Sequence, residues 1–137
     1  MNATVHQPEF MLLFRNTQFE QRLSAEEMAE AMRRLNVWLE RWSASGHIKS
    51  GQPLSYDGKI ISGAKQRMVA DGPFAESKEV IGGYLMLDVE TLDEALAIAK
   101  SYPCLQYGIS IEVRPLLTEC PCFKRARERL GLATEVA

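Results

Sequence analysis

The side chains best suited to chemistry in this sequence are a carboxylate in a turn and a histidine after a helix. Asp71 opens the segment Asp-Gly-Pro-Phe, in which the proline would hold the carboxylate in a fixed position. His47 could titrate near neutral pH and act together with Asp71 if the fold brings the two side chains together. We therefore take them as the candidate catalytic residues. The alternatives are that Asp71 only caps its turn and that His47 is exposed to solvent.

A strand of alternating polarity adds candidate ligand-binding residues. From Tyr107 onwards every second residue is apolar, so the intervening residues share the opposite face. The polar side chains on that face are Ser110, Glu112 and Arg114. Arginine is well suited to bind a carboxylate. We therefore predict that these three residues and Asp71 bind a small polar or acidic metabolite, with His47 nearby. For the two charged residues of the strand, the alternative is an internal ion pair or a solvated strand end.

The cysteines and histidines show no recognisable metal-site spacing, so we expect no metal and no cofactor. The three cysteines are an odd number, which argues for reduced thiols and a cytoplasmic protein. Cys120-Pro121-Cys122 is tighter than the usual Cys-x-x-Cys spacing of metal and redox sites. The sequence therefore predicts unlinked thiols near a helix start at Cys120 and Cys122, and it assigns no role to Cys104.

Length and composition limit the remaining classes of function. The 137 residues suit one domain with its own core, and hydrophobic residues make up 46% of them. The formal net charge is −2 and no polybasic run is present, which argues against direct binding of nucleic acid. No apolar run approaches the roughly 20 residues of a membrane helix, and residues 1–9 show no secretion signal. We expect no contact with a membrane.

Two capping boxes place the helices that must position the candidate residues. In each box a serine or threonine is followed three residues later by glutamate, so that side chain and backbone groups satisfy each other. The first box begins a helix over Ser24–Ser45, which Gly46 ends, and its apolar residues recur on one face. The second box begins a helix at Thr91 that carries Leu92 inward and stops near Pro103.

Apolar runs and turn signals predict the first strands. Glu9–Arg15 is a short apolar run typical of a buried strand. Asp57-Gly58 predicts a two-residue hairpin turn between strands at Leu54–Tyr56 and Lys59–Ile61. These predictions place a hairpin in the middle of the chain.

The second half of the chain predicts two further strands and a last helix. Gly82-Gly83 opens a strand over Tyr84–Val89, and the alternating segment Tyr107–Val113 is the next strand. Pro121 is a favourable first-turn residue for a helix that ends at Gly131. The side chains that this helix is expected to bury are Phe123, Ala126 and Leu130.

The element order predicts an α+β domain of ferredoxin-like type. It is β-α-β-β-α-β, the split βαβ arrangement, followed by a C-terminal helix. The first strand is apolar on both faces, with Leu12 on one and Leu13 on the other. One face would pack on the helices, and a second copy of the sheet is the simplest cover for the other. We therefore predict a homodimer; the alternative is that loops or the third helix cover this face.

Four segments, residues 71–79, 82–84, 92–95 and 113–115, together resemble the YCII-related family, and in particular its DGPF branch. The resemblance implies a ferredoxin-like fold that pairs sheet to sheet as a dimeric α/β barrel. It implies a YCII-related domain over residues 9–115, which leaves 116–137 as a C-terminal helical extension.

The resemblance implies less about function than about fold. Members of the family are mostly without established activity, although some relatives act on small ring-derived acids and a His–Asp pair has been proposed for the shorter members. Counting back from Gly46, that histidine would fall at Leu35 or Asn36, and neither can serve as a general base. Whether the chain is an enzyme therefore stays open, and metabolite binding in a cleft between sheet and loops is the predicted function. Branch members also occur beside, or fused to, extracytoplasmic-function sigma factors, so a regulatory partner is the alternative.

Overall fold

The computed structural model describes residues 9–63, 68–72 and 80–132, and for 68–72 it describes the backbone. Its centre is a four-stranded antiparallel sheet. The strands are β1 (Phe10–Arg15), β2 (Ile48–Pro53), β5 (Ile81–Leu87) and β6 (Ser110–Pro115), in the order β2-β5-β1-β6. A separate two-stranded sheet is formed by β3 (Gly58–Ser62) and β4 (Met68–Gly72). The fold is therefore mixed α+β with the strand order of a ferredoxin-like domain.

Three helices accompany the sheets, namely α1 (Ala25–Ala44), α2 (Leu92–Lys100) and α3 (Pro121–Leu130). The capping boxes predicted for the first two are confirmed, with Ser24 and Thr91 as the N-cap residues. Gly46 follows α1 with φ of 84°, a left-handed conformation that glycine adopts without a steric penalty. The sequence thus places both ends of α1 correctly.

The core lies between α1, α2 and one face of the sheet. On β1, Phe10, Leu12 and Phe14 are buried, and Leu12 and Leu87 are fully inaccessible to solvent. Helix α1 contributes Trp38, whose indole N–H donates a hydrogen bond of 2.8 Å to Ser101 beyond α2. The two-sided pattern predicted for β1 is therefore real, since alternate residues of the strand are buried and half-buried.

The predicted hairpin at Asp57-Gly58 is wrong. Strand β2 ends at Pro53 and pairs with β5, while β3 begins at Gly58 and pairs with β4. The segment between Leu54 and Asp57 is a connection between two different sheets. The chain bends at Tyr56, just before the Asp-Gly pair, but this bend does not join two paired strands.

Two predictions of buried helical side chains are also wrong. Leu92 is 47% exposed, because it is the first residue of α2 and Ala95, Ile98 and Ala99 form the inward face. Helix α3 begins at Pro121 and ends before Gly131 as predicted, but Phe123 and Leu130 are exposed and no residue of the helix is buried. Its amphipathic pattern is not matched by a packing partner within the described part of this chain.

The sheet face opposite the helices carries the other half of each strand. The strand registers pair Met11 with Met86 and Leu13 with Tyr84, and paired residues point to the same face. These four central side chains are half-buried. We call this the open sheet face.

No helix among the described residues is long and apolar enough to cross a membrane.

Candidate functional site

A cavity lies on the helix side of the sheet, between α1 and the ends of β1, β2 and β5. Its volume is about 450 Å³, within the range of small-molecule sites. Phe14 lines the cavity from β1, and Leu35 and Leu39 line it from α1. The described residues that line it are Phe14, Thr17, Phe19, Leu35, Leu39, Gly51, Gln52, Pro53, Tyr56, Gly82, Gly83, Tyr84, Leu85, Tyr102 and Ile109.

Glycines in two neighbouring strands bring backbone close to the wall of this cavity. A Cβ atom on Gly51 would lie 2.6 Å from the carbonyl oxygen of Tyr84, and one on Gly82 would lie 2.0 Å from the hydroxyl of Thr17. Neither position has room for a side chain. The space above Gly82 is used instead by Thr17, which shares a hydrogen bond of 2.6 Å with the hydroxyl of Tyr56. The missing side chain at Gly82 therefore leaves room for Thr17, which forms a polar pair with Tyr56 in a largely apolar wall.

Tyr102 also lines the cavity and is held by aromatic contacts. Its ring lies 4.9 Å from that of Phe14 and 5.0 Å edge-on from that of Trp38, measured between centroids. Burial raises the pKa of the Tyr102 hydroxyl well above its ordinary value. The hydroxyl is therefore protonated at neutral pH and can donate a hydrogen bond.

The wall of the cavity carries no formal charge among the described residues that line it. Leu35, one of the two positions at which the shorter family members would place a histidine, lies in this wall. Acid–base chemistry by a carboxylate or an imidazole has no candidate among these lining residues. The arrangement suits binding of an uncharged ring or apolar body that also carries a hydrogen-bonding oxygen.

The structure brings the three predicted residues of β6 together, but on the open sheet face. Glu112 accepts hydrogen bonds of 2.7 Å from Arg114 and from Arg15 of the neighbouring strand. Ser110 pairs with Arg15 in the β1–β6 ladder and is exposed. The internal ion pair, the alternative for Glu112 and Arg114, is thus present. We call Arg15, Glu112 and Arg114 the β6 charge cluster.

The structure does not bring His47 to the β6 charge cluster. His47 directly precedes β2, which is at the opposite edge of the sheet from β6, three strand spacings of about 4.8 Å away. Its ring packs edge-on against Trp42 at 5.2 Å, and Nδ1 shares a hydrogen bond of 2.6 Å with the hydroxyl of Ser45. These contacts hold His47 at the end of α1, against Trp42 and Ser45 and not beside the predicted ligand-binding residues of β6.

Asp71 is described at the level of the backbone, where it pairs with Lys59 in the β3–β4 ladder. Its side chain, and the Pro73 and Phe74 that follow it, lie outside the described residues. The ligand site predicted around Asp71 therefore stays a prediction. Within the described residues, no group of three or more histidine, cysteine, aspartate or glutamate side chains could hold a metal ion.

The β6 charge cluster makes stability depend on acid pH. Hydrogen bonds from Arg114 and then Arg15 lower the pKa of Glu112 from its ordinary value of 4.5. A carboxyl group whose pKa is lowered by folding stabilises the folded state above its unfolded pKa, and that contribution is lost as the pH falls.

We therefore expect Glu112→Gln to reduce stability at about pH 6 and to reduce it less at about pH 3.5. Urea unfolding of both proteins at each pH measures this, as the difference between their midpoints. Glu40→Gln is the control, because Glu40 is exposed on α1 in the other layer of the fold. A Glu112→Gln difference that is equal at both pH values would contradict the assignment.

Three residues that the sequence did not single out, Thr17, Tyr56 and Tyr102, are among the hydroxyl-bearing residues that line this cavity. One signal was available, since glycines inside strands mark places where another group approaches the backbone closely. Gly82 and Gly83 were interpreted as the start of a strand, and they are in fact inside β5. What the sequence does not reveal is that folding brings the ring of Tyr102 against that of Phe14.

The chain is similar to several known proteins. The sequence profile of the YCII-related domain matches residues 9–118, which include all six strands and the first two helices. An uncharacterised protein of Rhizobium meliloti (strain 1021) is 33% identical over 97 residues, 68% of this chain and 78% of that protein. A solved structure, 5-chloro-2-hydroxyhydroquinone dehydrochlorinase from Burkholderia phenoliruptrix AC1100 in complex with 2,5-dihydroxybenzoquinone, aligns over 81% of this chain and 95% of its own, with 16% identity and a TM-score of 0.46. The family match therefore spans the elements that enclose the cavity.

Proposed function

The chain belongs to the YCII-related family, and on that premise we propose that it binds a small uncharged molecule in the cavity between α1 and the sheet. The observation that carries the proposal is the composition of the cavity wall, which is apolar and aromatic with a few hydroxyl groups. A cavity of this kind, with few converging polar groups, is the usual form of a small-molecule site. The ligand that suits it has a flat apolar body and a carbonyl or hydroxyl oxygen.

The distribution of charge supports an uncharged ligand over an acidic one. The described residues that line the cavity carry no cation, so a carboxylate moved into it from water would lose its hydration without gaining an ion pair. Arg114, the arginine predicted to bind an acid, is on the open sheet face, where it and Arg15 already contact Glu112. An acidic metabolite at Ser110, Glu112, Arg114 and Asp71 stays the alternative ligand proposal.

Tyr102 is the proposed donor to the ligand oxygen. Its ring is fixed by Phe14 and Trp38, so that little side-chain entropy is lost on binding. Removing the hydroxyl while keeping the ring should therefore weaken ligand binding and leave the fold intact.

The expected result is that Tyr102→Phe weakens binding of a neutral phenolic probe about 2- to 12-fold, the loss of one hydrogen bond. The measurement is a thermal-shift titration with 3-hydroxybenzaldehyde and 3-hydroxybenzoate, which are similar in shape and differ in charge. We expect the aldehyde to raise the melting temperature more than the benzoate, since a ligand bound by the folded state alone stabilises it.

Tyr107→Phe is the matched control, because Tyr107 stacks on Phe19 at 5.4 Å and is outside the set of residues that line the cavity. It should leave the titration unchanged. Stronger binding of the benzoate, with no effect of Tyr102→Phe, would overturn the proposed cavity ligand and favour the acidic alternative.

We further propose that the open sheet face pairs with a second copy of the chain, as in a dimeric α/β barrel. The support is the apolar centre of this face, where Met11, Leu13, Tyr84 and Met86 lie opposite the helices. A face of this kind needs a second layer, because burial of its apolar surface is favourable. The β6 charge cluster would then lie beside the interface.

Three finer assignments rest on the sequence and are proposed with it. The Asp71–Phe74 motif supports membership of the DGPF branch. The three cysteines are free thiols, which supports a reducing, cytoplasmic location. A protein partner such as an extracytoplasmic-function sigma factor is the alternative function, and co-purification of the two proteins after co-expression would test it.

A further inference from the structure

The start of α3 brings two thiols into contact. Cys120, the N-cap residue, and Cys122, in the first turn, have their Sγ atoms 3.0 Å apart. Both side chains are exposed and free. A disulfide bond has a sulfur–sulfur length of about 2.05 Å, so a displacement of about 1 Å separates the dithiol from a bonded pair. The third cysteine, Cys104, is buried with 1% of its surface exposed.

The two thiols are not equivalent. The contact with the Cys122 thiol, the nearby backbone N–H groups of Cys122 and Phe123, and the positive charge of Arg125 together lower the pKa of Cys120. The same contact raises the pKa of Cys122. Thiolate, and not thiol, is the nucleophile in exchange reactions, so Cys120 is the attacking sulfur and Cys122 the resolving one.

We propose that Cys120 and Cys122 form a redox-active dithiol that reduces low-molecular-weight disulfides. The Cys120 thiolate attacks one sulfur of the disulfide RSSR; a Cys120–SR bond forms, the S–S bond of RSSR breaks, and RS⁻ leaves and takes up a proton. Cys122 then loses its proton to solvent and attacks the Cys120 sulfur, which forms the Cys120–Cys122 disulfide and releases the second RS⁻. In the balance, two protein thiols are oxidised and one RSSR is reduced to two RSH.

This site is independent of the cavity function. Cys120 and Cys122 are not among the residues that line the cavity, and they follow the last strand of the sheet. The product disulfide would be exposed to solvent, and exposed disulfides are among the more easily reduced ones. The pair is therefore suited to reversible exchange and not to permanent cross-linking of the chain.

The test is incubation of the full-length reduced protein with oxidised glutathione, followed by alkylation and peptide mass spectrometry. The wild-type protein should lose the mass of two hydrogens in the peptide that holds Cys120 and Cys122, with little glutathione adduct. Cys122→Ser should accumulate the adduct at Cys120, because the resolving thiol is missing. Cys120→Ser should carry its adduct at Cys122 and cannot form the disulfide, because the attacking thiol is missing. Cys104 in each folded protein should stay unmodified.

Three outcomes would overturn the proposal. The first is a wild-type protein that keeps both thiols reduced although alkylation shows them to be accessible. The second is a disulfide that joins two chains, seen as a doubled mass without reductant. The third is a Cys122→Ser protein with no more glutathione adduct at Cys120 than the wild type, which would mean that Cys122 does not resolve the mixed disulfide.

Discussion

Leu12→Ala is expected to lower the free energy of unfolding by about 2–5 kcal/mol. Leu12 is in the middle of β1, between β5 and β6, and none of its surface is exposed. Truncation removes buried methyl groups and leaves a cavity that rigid strands on both sides cannot fill. The size of the loss depends on how far the surrounding side chains can relax, and a central strand allows little relaxation.

Urea unfolding at a fixed protein concentration measures this change, with Leu130→Ala as the matched control. Leu130 is 71% exposed on α3, so the same chemical change there should cost well under 1 kcal/mol. Equal losses in the two variants would show that α3 packs against the rest of the protein, and that the side of β1 defined by Leu12 is not the core.

The local parts of this fold could be predicted from the sequence because their signals act over a few residues. A capping box needs two residues three positions apart, and both boxes are present as predicted, at Ser24 and Thr91. The alternation in β1 and β6 depends only on the geometry of a strand. These features are fixed by neighbours in the chain, so no tertiary information is needed to find them.

Strand pairing could not be predicted with the same success, because it depends on residues far apart. The Asp57-Gly58 turn signal favours a hairpin, but β2 pairs with β5 and β3 pairs with β4. The gain from packing β2 against the centre of the large sheet exceeds the preference of two residues for a tight turn. A turn motif shows where the chain bends, and the tertiary fold decides which strands meet.

The candidate cavity was missed for a related reason. The prediction places a ligand above the small and charged residues of β6. It therefore requires a cavity on that face of the sheet. In the structure the concave side is the helix side, where Gly51 and Gly82 lie among apolar residues. Tyr102 reaches the cavity because the segment after α2 passes beside β1, which no local pattern reveals. The polar residues of β6 are instead neighbours of the proposed dimer interface.

That interface leads to the second large expected effect, which is the conversion of a dimer into monomers by Leu13→Lys. Leu13 lies on β1 opposite Tyr84 and Glu112, at the centre of the open sheet face. A two-fold interface contains every residue twice, once from each copy. In a sheet-to-sheet dimer, Leu13→Lys would therefore bury two lysine side chains. Even about 3 kcal/mol from desolvating these ammonium groups raises the dissociation constant about 100-fold.

Light scattering coupled to size exclusion at micromolar concentration gives the result directly. The wild-type protein should have twice the chain mass of 15.4 kDa, and Leu13→Lys should have a mass close to that of one chain. Ile61→Lys is the control, because Ile61 is 71% exposed on β3 and outside the four-stranded sheet. It adds the same charge and should leave the dimer intact. A wild-type protein with the mass of one chain would refute the dimer. A Leu13→Lys protein that stays dimeric would mean that the copies pair through another surface, for which the exposed apolar side chains of α3 are the next candidates.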